Sequence, residues 1–405
     1  MSSAQVTEEV IRPPQPPGPI KWVRDNLFNN WFNSLLTVIF LPIVFFALLN
    51  AILWIFTTAD WRAVTKFPML FAVGQYPRDE LWRVGVGLSA IVFMLGNSWG
   101  KWGGLLRSIS IAAGIFFAFF AILPVQHPEL DFGLRSYLGL NVLLILLGNW
   151  IGKQETVKQR YIIIGWALVP IIFVFLLTGL EGSELIPNVA TTFWGGLLVT
   201  FLLSAGGIIL SFPIGLLLAL GRRSTLPVVK AISTVLIEGI RGVPLITILF
   251  MFSIILALFL PQDSRIDRLV RALMSVTFFS AAYTAENVRG GLAAVPLGQI
   301  EAAKAVGMNG FQTMLFIVLP QAIRAVLPAI VGQFIALFKD TTLVVIVGIN
   351  DLLGIGRSVI NSDPEFVQLQ MEVYLFIAVI YWIFSYLMSL ASRRLEAALG
   401  VSTRL

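Results

Sequence analysis

The sequence contains no cysteine and only one histidine, His127, in 405 residues. The absence of cysteine excludes a disulfide framework, a thiol nucleophile and thiolate metal sites. His127 stands beside Pro128 in an apparent loop without neighbouring ligands, so it does not indicate a metal site. Charged residues are also scarce, at 12% of the chain. Soluble domains carry about 25%, and this deficit argues against a soluble enzyme or a disordered protein.

Long apolar runs take the place of the missing charge. Hydrophobic residues make up 57% of the chain, and the mean hydropathy is +0.87. The runs are continuous blocks that do not alternate with a period of two, which argues against a β-barrel. The sequence therefore predicts an all-α polytopic membrane protein. The net charge of +6 does not indicate a nucleic-acid partner, because the basic residues lie mostly between the apolar runs.

The apolar runs predict ten transmembrane helices in two sets of five. The first set covers 34–56, 84–99, 108–125, 138–151 and 161–180. The second set covers 193–220, 233–260, 272–288, 325–349 and 373–391. Two runs, 84–99 and 138–151, are short for a bilayer that needs about 20 helical residues, so eight spans are the alternative. With both termini in the cytoplasm, most Lys and Arg residues fall on the cytoplasmic side, as the positive-inside rule expects.

Composition divides the chain into four predicted parts. These are a Pro-rich cytoplasmic tail at 1–32, an N-terminal transmembrane extension at 33–182, a transmembrane core at 191–396 and a cytoplasmic tail at 397–405. Within the extension, Gly96–Lys101 echoes Gly148–Lys153, which indicates a duplicated two-helix hairpin. Neither copy has the spacing of a P-loop. We therefore expect this chain not to bind and hydrolyse ATP itself.

The segment 290–320 is too polar in its first half to cross a membrane. Helix formers surround Glu301, and Gly307 then favours a break. A second amphipathic segment, Phe311–Val318, is expected to end at Pro320. The pattern predicts a helix–turn–helix on the cytoplasmic surface, with Ala302, Ala303 and Ala305 forming a small face for a docking partner. The alternative is an interfacial helix that binds membrane lipid.

One long motif in this segment resembles the EAA loop of permease subunits in ABC importers. The pattern EAA-x3-G-x9-I-x-LP is matched at every defined position by Glu301, Ala302, Ala303, Gly307, Ile317, Leu319 and Pro320. The runs 238–245, 282–291 and 338–344 resemble the polar amino acid permeases that serve histidine, glutamine and glutamate/aspartate uptake. The runs 194–197 and 220–224 are similar to the larger subunit of general L-amino acid permeases.

The resemblance implies a five-helix type I ABC importer core that acts in a complex in the bacterial inner membrane. The implied partners are a second permease subunit, two ATPase subunits that hold ATP and Mg²⁺, and a periplasmic amino-acid-binding protein. The resemblance to the larger subunit favours a related chain as the second permease subunit, and a second copy of this chain is the alternative. No cofactor is implied in this chain. Glu301, Ala302, Ala303 and Gly307, with Leu319 and Pro320, would form the contact that couples ATP hydrolysis to transport.

Charged and polar side chains inside the predicted spans are candidates for the substrate path, since an isolated charge there is costly. Glu238 and Arg241 are three residues apart, and Glu286 and Arg289 repeat that spacing, so each pair can meet on one helix face. Gly242 and Pro244 predict a helix break beside Arg241. Further candidates are Gln333, Asp340 and Thr341. The alternative for all of them is a structural role, as ion pairs and hydrogen bonds between helices.

Two other functions are weighed against ATP-driven import. A secondary transporter driven by an ion gradient needs no ATPase and no docking loop, so the 290–320 segment counts against it. An intramembrane enzyme needs a convergent nucleophile–base or metal set within the spans. One histidine and no cysteine make that set improbable.

Overall fold

The computed structural model describes residues 18–123, 129, 131–259, 261, 266–398 and 400. These residues are almost entirely helical, and the β-type pairings among them are three isolated bridges. The prediction of an all-α membrane protein is confirmed. His127 and most of the two predicted tails lie outside the described residues.

The chain divides into two compact units after Asp60, and the described part of the first unit, residues 18–60, contains two α-helices. These are α1, Pro19–Leu27, and α2, Trp31–Leu53, which continues as a π-helical turn to Thr58. The side chain of Asn30 accepts a hydrogen bond from the Asn33 amide at 2.8 Å and caps α2. No residue of α2 is buried within the protein, as a helix that faces lipid requires. The predicted tail at 1–32 thus contains α1 at its end.

The second unit begins at Trp61 and contains the rest of the extension together with the core. Its first helices are α3, Arg62–Thr65; α4, Pro68–Val73; α5, Leu81–Trp102; α6, Gly104–Ile122; α7, Phe132–Gly152; and α8, Gln159–Thr178. The concern that 84–99 and 138–151 are too short is unfounded, because α5 has 22 residues and α7 has 21. Both helices begin before the predicted spans: α5 includes Arg83, whose side chain is buried in the helix bundle, and α7 includes Arg135, which donates to the carbonyl oxygen of Leu123 at 2.7 Å.

The two copies of the repeated motif pack against each other where α5 crosses α7. A Cβ atom added at Gly96 would collide with the carbonyl oxygen of Ile145, and one added at Gly152 would collide with that of Asn97. Only glycine lets two backbones approach this closely. The repeat therefore marks a contact between two consecutive hairpins, α5–α6 and α7–α8.

The core starts with five helices, and one predicted span among them is broken. They are α9, Gly196–Arg222; α10, Pro227–Arg241; α11, Leu245–Phe250; α12, Leu256–Phe259; and α13, Arg268–Ala294. A π-helical turn at Met251–Ile255 joins α11 to α12. The segment from α10 to α12 bends by 111° at the break, as the glycine and proline before Leu245 predict.

The remaining helices carry the predicted docking segment and the last two spans. They are α14, Leu297–Ala305; α15, Gly310–Gln312; α16, Leu319–Asp340; α17, Leu352–Ile360; α18, Pro364–Val367; and α19, Gln370–Ala398. A π-helical turn at Thr313–Val318 joins α15 to α16, and a 3₁₀ turn at Thr341–Val347 follows α16.

Among the described residues, eight helices are long and apolar enough to cross a bilayer, and the bent α10–α12 segment is a ninth if it is counted as one span. The predicted span 272–288 lies in α13, which is not among these candidates. That helix carries Arg271, Glu286 and Arg289, and twelve of its 27 residues are buried within the protein. Because neighbouring helices surround α13, it does not need an apolar surface.

The extension from Trp61 onward is docked on the core through backbone contacts. The amide of Gly195 donates to the carbonyl oxygen of Val73 at 3.2 Å, and the amide of Gly196 donates to that of Asn350 at 2.9 Å. Gly74 adopts a positive φ of 72°, and a Cβ atom there would lie 2.5 Å from the Cα atom of Gly195. The end of the segment between α8 and α9, at Gly195 and Gly196, is therefore bonded to the end of α4 on one side and to Asn350 of the core on the other.

Loops predicted to share one side of the membrane contact each other. Arg78 lies 2.6 Å from Glu129, and both fall in loops predicted to lie outside. Arg394 donates to the hydroxyl of Ser108 at 2.5 Å, and both fall on the predicted cytoplasmic side. The alternation of the predicted spans agrees with these contacts, whereas the direction of the whole chain in the membrane stays a prediction.

Candidate functional site

The first arm of the docking segment is α14, which ends in a glycine turn. Gly307 has a φ of 84°, in the left-handed region that other residues avoid. Its amide donates to the carbonyl oxygen of Lys304 at 2.9 Å, and the Met308 amide donates to that of Ala303 at 3.1 Å. This is the Schellman pattern that terminates helices. The prediction that Gly307 permits the turn is confirmed.

The second arm begins at a capping box and does not end where the sequence predicts. The Gln312 amide donates to Oδ1 of Asn309 at 2.9 Å, and the Asn309 amide donates to Oε1 of Gln312 at 3.0 Å. The expected end at Pro320 is wrong, because the helix continues from Gly310 to Val347. The π-helical turn before Pro320 accommodates the proline. Nearby, Gln321 Nε2 donates to the Ile317 carbonyl oxygen at 2.9 Å.

The two arms expose one set of motif residues and bury another. Glu301 and Ala302 are exposed, whereas Ala303 is buried against the protein's own interior. The expected small face of three alanines is therefore reduced to Ala302 and Ala305. Of the two closing motif residues, Leu319 packs on an internal cluster and Pro320 is exposed.

Large apolar side chains of the docking segment are exposed on the surface of the protein, outside the predicted spans, and sequence reasoning missed them. Leu297 is 74% exposed, Val306 77% and Phe311 74%. These residues lie at the start of α14, in its terminal turn and in α15, outside the predicted spans. Exposed apolar patches on a water-facing surface mark contacts with other proteins. The sequence feature that could have identified these residues is their position next to the turn at Gly307.

The base of the docking segment is tightly packed against the core. A Cβ atom added at Gly291 of α13 would collide with the carbonyl oxygen of Ala322 and lie 2.8 Å from Cγ1 of Val326 in α16. Arg223 Nη1 donates to the carbonyl oxygen of Leu292 at 3.3 Å. The docking segment is thus flanked by two helices, α13 and α16, that are in close backbone contact.

Glu238, Arg241 and Glu286 meet in one ionic cluster. Arg241 Nη1 lies 3.4 Å from Oε2 of Glu286 and 3.9 Å from Oε2 of Glu238. Arg222, at the end of α9, lies 2.7 Å from Glu238 and 3.4 Å from Glu286. Arg289 donates to both oxygens of Glu286, at 2.9 and 3.0 Å from Nε. The two ion pairs that the sequence predicts within single helices are thus joined into one network of three arginines and two glutamates.

The cluster lies beside the broken helix and keeps part of its surface open. The guanidinium carbon of Arg241 lies 5.6 Å from the ring centroid of Tyr283, within the range of a cation–π contact. Nε of Arg241 is buried without a hydrogen-bond partner among the described residues. Glu238 is about half exposed. Sequence reasoning missed Arg222, which lies on a different helix from both predicted pairs, and Tyr283, which lies three residues before Glu286 on the same face of α13.

The other candidates on α16 do not join this cluster. Gln333 and Asp340 are partly exposed, and Asp340 forms no ion pair with a described residue. Thr341 is fully buried and donates to the carbonyl oxygen of Phe338 at 2.8 Å. A hydroxyl held inside the chain in this way does not line an open path, so the expectation for Thr341 is not supported by its position.

Thr341 instead approaches a buried network centred on Asp351. Its hydroxyl lies 3.4 Å from that of Tyr381, which donates to Oδ2 of Asp351 at 3.1 Å. Oδ1 of Asp351 accepts from the Gly354 amide at 2.9 Å and caps α17. Burial raises the pKa of Asp351, and these hydrogen bonds partly oppose the shift. The network ties the end of α16 to α17 and α19.

Comparison with known proteins identifies the core. Residues 211–401 match the family model of the binding-protein-dependent transport system inner membrane component. The inner membrane amino-acid ABC transporter permease protein YhdY of Escherichia coli is 37% identical over 93% of this chain and 91% of its own length. The chain belongs to this family of ABC transporter permeases. It is a multi-pass membrane transport subunit, and a separate subunit hydrolyses ATP.

Other relatives of the permease differ in length. The glutamate/glutamine/aspartate/asparagine transport system permease protein BztC of Rhodobacter capsulatus is 33% identical over 97% of this chain and 98% of its own length. The probable glutamine ABC transporter permease protein GlnP of Bacillus subtilis is 37% identical over 204 residues, which are 50% of this chain but 91% of that protein. Some relatives therefore match the whole permease, whereas others are about half its length.

Proposed function

We propose that the permease imports polar and charged L-amino acids across the bacterial inner membrane by alternating access, with both termini in the cytoplasm. The names of its relatives support this substrate class, since BztC is named for glutamate, glutamine, aspartate and asparagine and GlnP for glutamine. The similarity to YhdY supports amino acids as a group.

The observation that carries the proposed mechanism is the exposed apolar docking segment on a rigid base. An ATPase cleft would bury Leu297, Val306 and Phe311, and Glu301 would add a polar contact. Because Gly291 brings α13 and α16 into backbone contact, movement of the segment would turn both helices together. The complex would contain two ATPase subunits, a second permease subunit that is a related chain, and a periplasmic amino-acid-binding protein.

The ionic cluster is the proposed contact for the zwitterionic part of the substrate. Arginine binds carboxylates well because its planar guanidinium presents several donors. Among the described residues, no hydrogen-bond partner engages the buried Nε of Arg241, and Glu238 is partly open to attract an ammonium group. If the break between α10 and α11 opened, Arg241 and Glu238 would leave their partners within the protein and bind the carboxylate and ammonium groups of the substrate instead. Gln333 and Asp340 are second candidates on the same path, since they share one face of α16.

The coupling proposal is tested by Phe311→Asp in the complete complex reconstituted in proteoliposomes. The charge should abolish ATP-dependent uptake of L-glutamine, because an aspartate cannot be buried in an apolar cleft, while membrane insertion stays normal. Leu185→Asp is the matched control, since Leu185 is 87% exposed in a loop predicted to lie outside. Uptake by Phe311→Asp at the wild-type rate would refute the proposal.

The substrate contact is tested separately with Arg241→Gln and Arg241→Lys. If Arg241 binds the substrate carboxylate, Gln should raise the KM for uptake strongly and Lys should restore it in part. The exposed Arg107 provides the control Arg107→Gln. An equal loss of maximal rate for both Arg241 variants, with an unchanged KM, would assign the cluster to helix packing instead.

A further inference from the structure

The first helix, α1, is joined to the first span, α2, by a short corner that hydrogen bonds hold. Only residues 28–30 separate the two helices, which belong to the same compact unit. The hydroxyl of Thr37 donates to the carbonyl oxygen of Leu27 at 2.9 Å, and Nδ2 of Asn33 donates to Oδ1 of Asn29 at 2.7 Å. The end of α1 is therefore kept beside the first two turns of α2.

The position of α2 determines where this corner lies. Trp31–Thr58 is a 28-residue apolar helix that carries no charged residue and is long enough to cross a bilayer. Trp31, its first residue, is 78% exposed, and tryptophan is enriched where a span meets the lipid headgroups. The end of α1 thus lies at the surface of the membrane.

The side chains of α1 are divided between an apolar face and a polar face. Ile20, Val23 and Leu27 follow one another at intervals of three and four residues, so they share one side of the helix. Lys21 and Asp25 are four residues apart on the opposite side. Within the part of the chain that the structure describes, no residue of α1 is buried, and Ile20 is 87% exposed. The apolar face of α1 is therefore left uncovered by these residues.

A helix as short as α1 needs a surface on which to fold. It has nine residues, and isolated helices shorter than about 12–15 residues are marginal in water. Exposure of its apolar face to water would disfavour it further. A bilayer interface removes both costs, because a helix that lies in it buries its apolar face at the boundary between headgroups and acyl chains.

Arg24 adds a contact that a lipid headgroup can satisfy. The helical spacing places it on the flank of α1, between the apolar face and Lys21, and its side chain is exposed. An arginine at such a flank can lay its methylene stem along apolar surface and reach phosphate oxygens with its guanidinium group. Lys21 and Asp25, which are opposite in sign, are left to face water.

We propose that α1 lies in the membrane–water interface, with Ile20, Val23 and Leu27 against the acyl chains and Arg24 on the phosphate of an anionic phospholipid. The occupant of the apolar face is lipid rather than another protein, because the corner at residues 28–30 holds the end of α1 at the start of a span. This position requires only that α2 crosses the bilayer, whatever the permease transports.

Spin labels can measure the depth of α1, since the chain has no native cysteine. The permease is labelled as Ile20→Cys, Val23→Cys, Lys21→Cys or Asp25→Cys, assembled into the complete complex and reconstituted in vesicles that contain phosphatidylglycerol. The labels are then exposed to oxygen, which partitions into lipid, and to a water-soluble nickel chelate. The ratio of oxygen to nickel collisions should be at least about threefold higher at positions 20 and 23 than at 21 and 25.

Two results would overturn the proposed position. High and equal nickel collision rates at all four labels would place α1 in water. Low collision rates with both reagents at positions 20 and 23 would show that a protein, and not lipid, covers the apolar face.

The phosphate contact of Arg24 is tested with the label at Val23→Cys, in vesicles of phosphatidylcholine alone and with phosphatidylglycerol added. The anionic lipid should raise the collision ratio about twofold when Arg24 is present and leave it unchanged in Arg24→Gln. Arg107→Gln is the control and should respond as the protein with both arginines does, because Arg107 is exposed near the start of α6. No response with Arg24 present, or an equal response in Arg24→Gln, would overturn the contact. None of these readings depends on uptake, so a failure of the proposed import function would leave them unchanged.

Discussion

Two adjacent glycines in α13 provide a matched test of how the docking segment is joined to the core. A Cβ atom at Gly291 would collide with the carbonyl oxygen of Ala322 and lie 2.8 Å from Cγ1 of Val326, whereas a Cβ atom at Gly290 meets nothing within 4 Å. Both substitutions to Ala gain the same helix propensity, about 1 kcal/mol. Their difference therefore isolates the steric cost at Gly291, about 1–3 kcal/mol for overpacking.

The assay compares Gly290→Ala and Gly291→Ala in thermal unfolding and in ATP-dependent uptake by the reconstituted complex. Gly290→Ala should melt at or above the wild-type temperature and transport normally. Gly291→Ala should melt lower and hydrolyse ATP with reduced uptake, because α16 is pushed away from α13 at the base of the segment. Equal melting temperatures and equal uptake for the two variants would refute the reasoning that close backbone contact transmits the motion.

Three further outcomes follow from single side chains. Gly307→Ala should cost about 1–2 kcal/mol locally, because its φ of 84° strains an L-residue, and hydrogen exchange at the end of α14 should accelerate; Gly310→Ala is the control. Buried Arg83 donates to the Pro187 carbonyl oxygen at 2.8 Å and pairs with Glu80 at 2.9 Å. Arg83→Met should therefore destabilise the extension by about 3–5 kcal/mol, measured as a lower melting temperature. An unchanged melting temperature would contradict this. Burial raises the pKa of Asp351 above its ordinary value, so the folded state favours the protonated acid. The stability of the wild type should therefore fall relative to that of Asp351→Asn as the pH rises from about 4 through the raised pKa. A stability difference that does not change with pH would contradict this.

Features that depend on local backbone chemistry were predictable from the sequence. The turn at Gly307 and the break before Leu245 follow from glycine and proline, whose effects act within a few residues. The spans at 84–99 and 138–151 were predicted to start too late, because the burial of Arg83 and the hydrogen bond of Arg135 to the Leu123 carbonyl oxygen are tertiary effects. A hydropathy window counts these residues as breaks.

Features that depend on contacts between distant helices were not predictable in the same way. The sequence pairs Glu238 with Arg241 by helical spacing, but the contribution of Arg222 depends on the approach of α9 to α10. Ala303 lies in the matched motif, and only the packing of α14 shows that it faces inward. The close approach of the two repeated motifs likewise needs the crossing of α5 and α7.

The proposed contact of an ATPase subunit with the docking segment on the cytoplasmic side can be tested directly, because the chain contains no native cysteine. A single Val306→Cys should react with a membrane-impermeant maleimide from the cytoplasmic side in the permease alone, because Val306 is 77% exposed. Addition of the ATPase subunit should protect it, while a Leu185→Cys control should react only from the other side and without protection. Labelling of Val306→Cys from the external side, or equal labelling with and without the ATPase, would contradict the account.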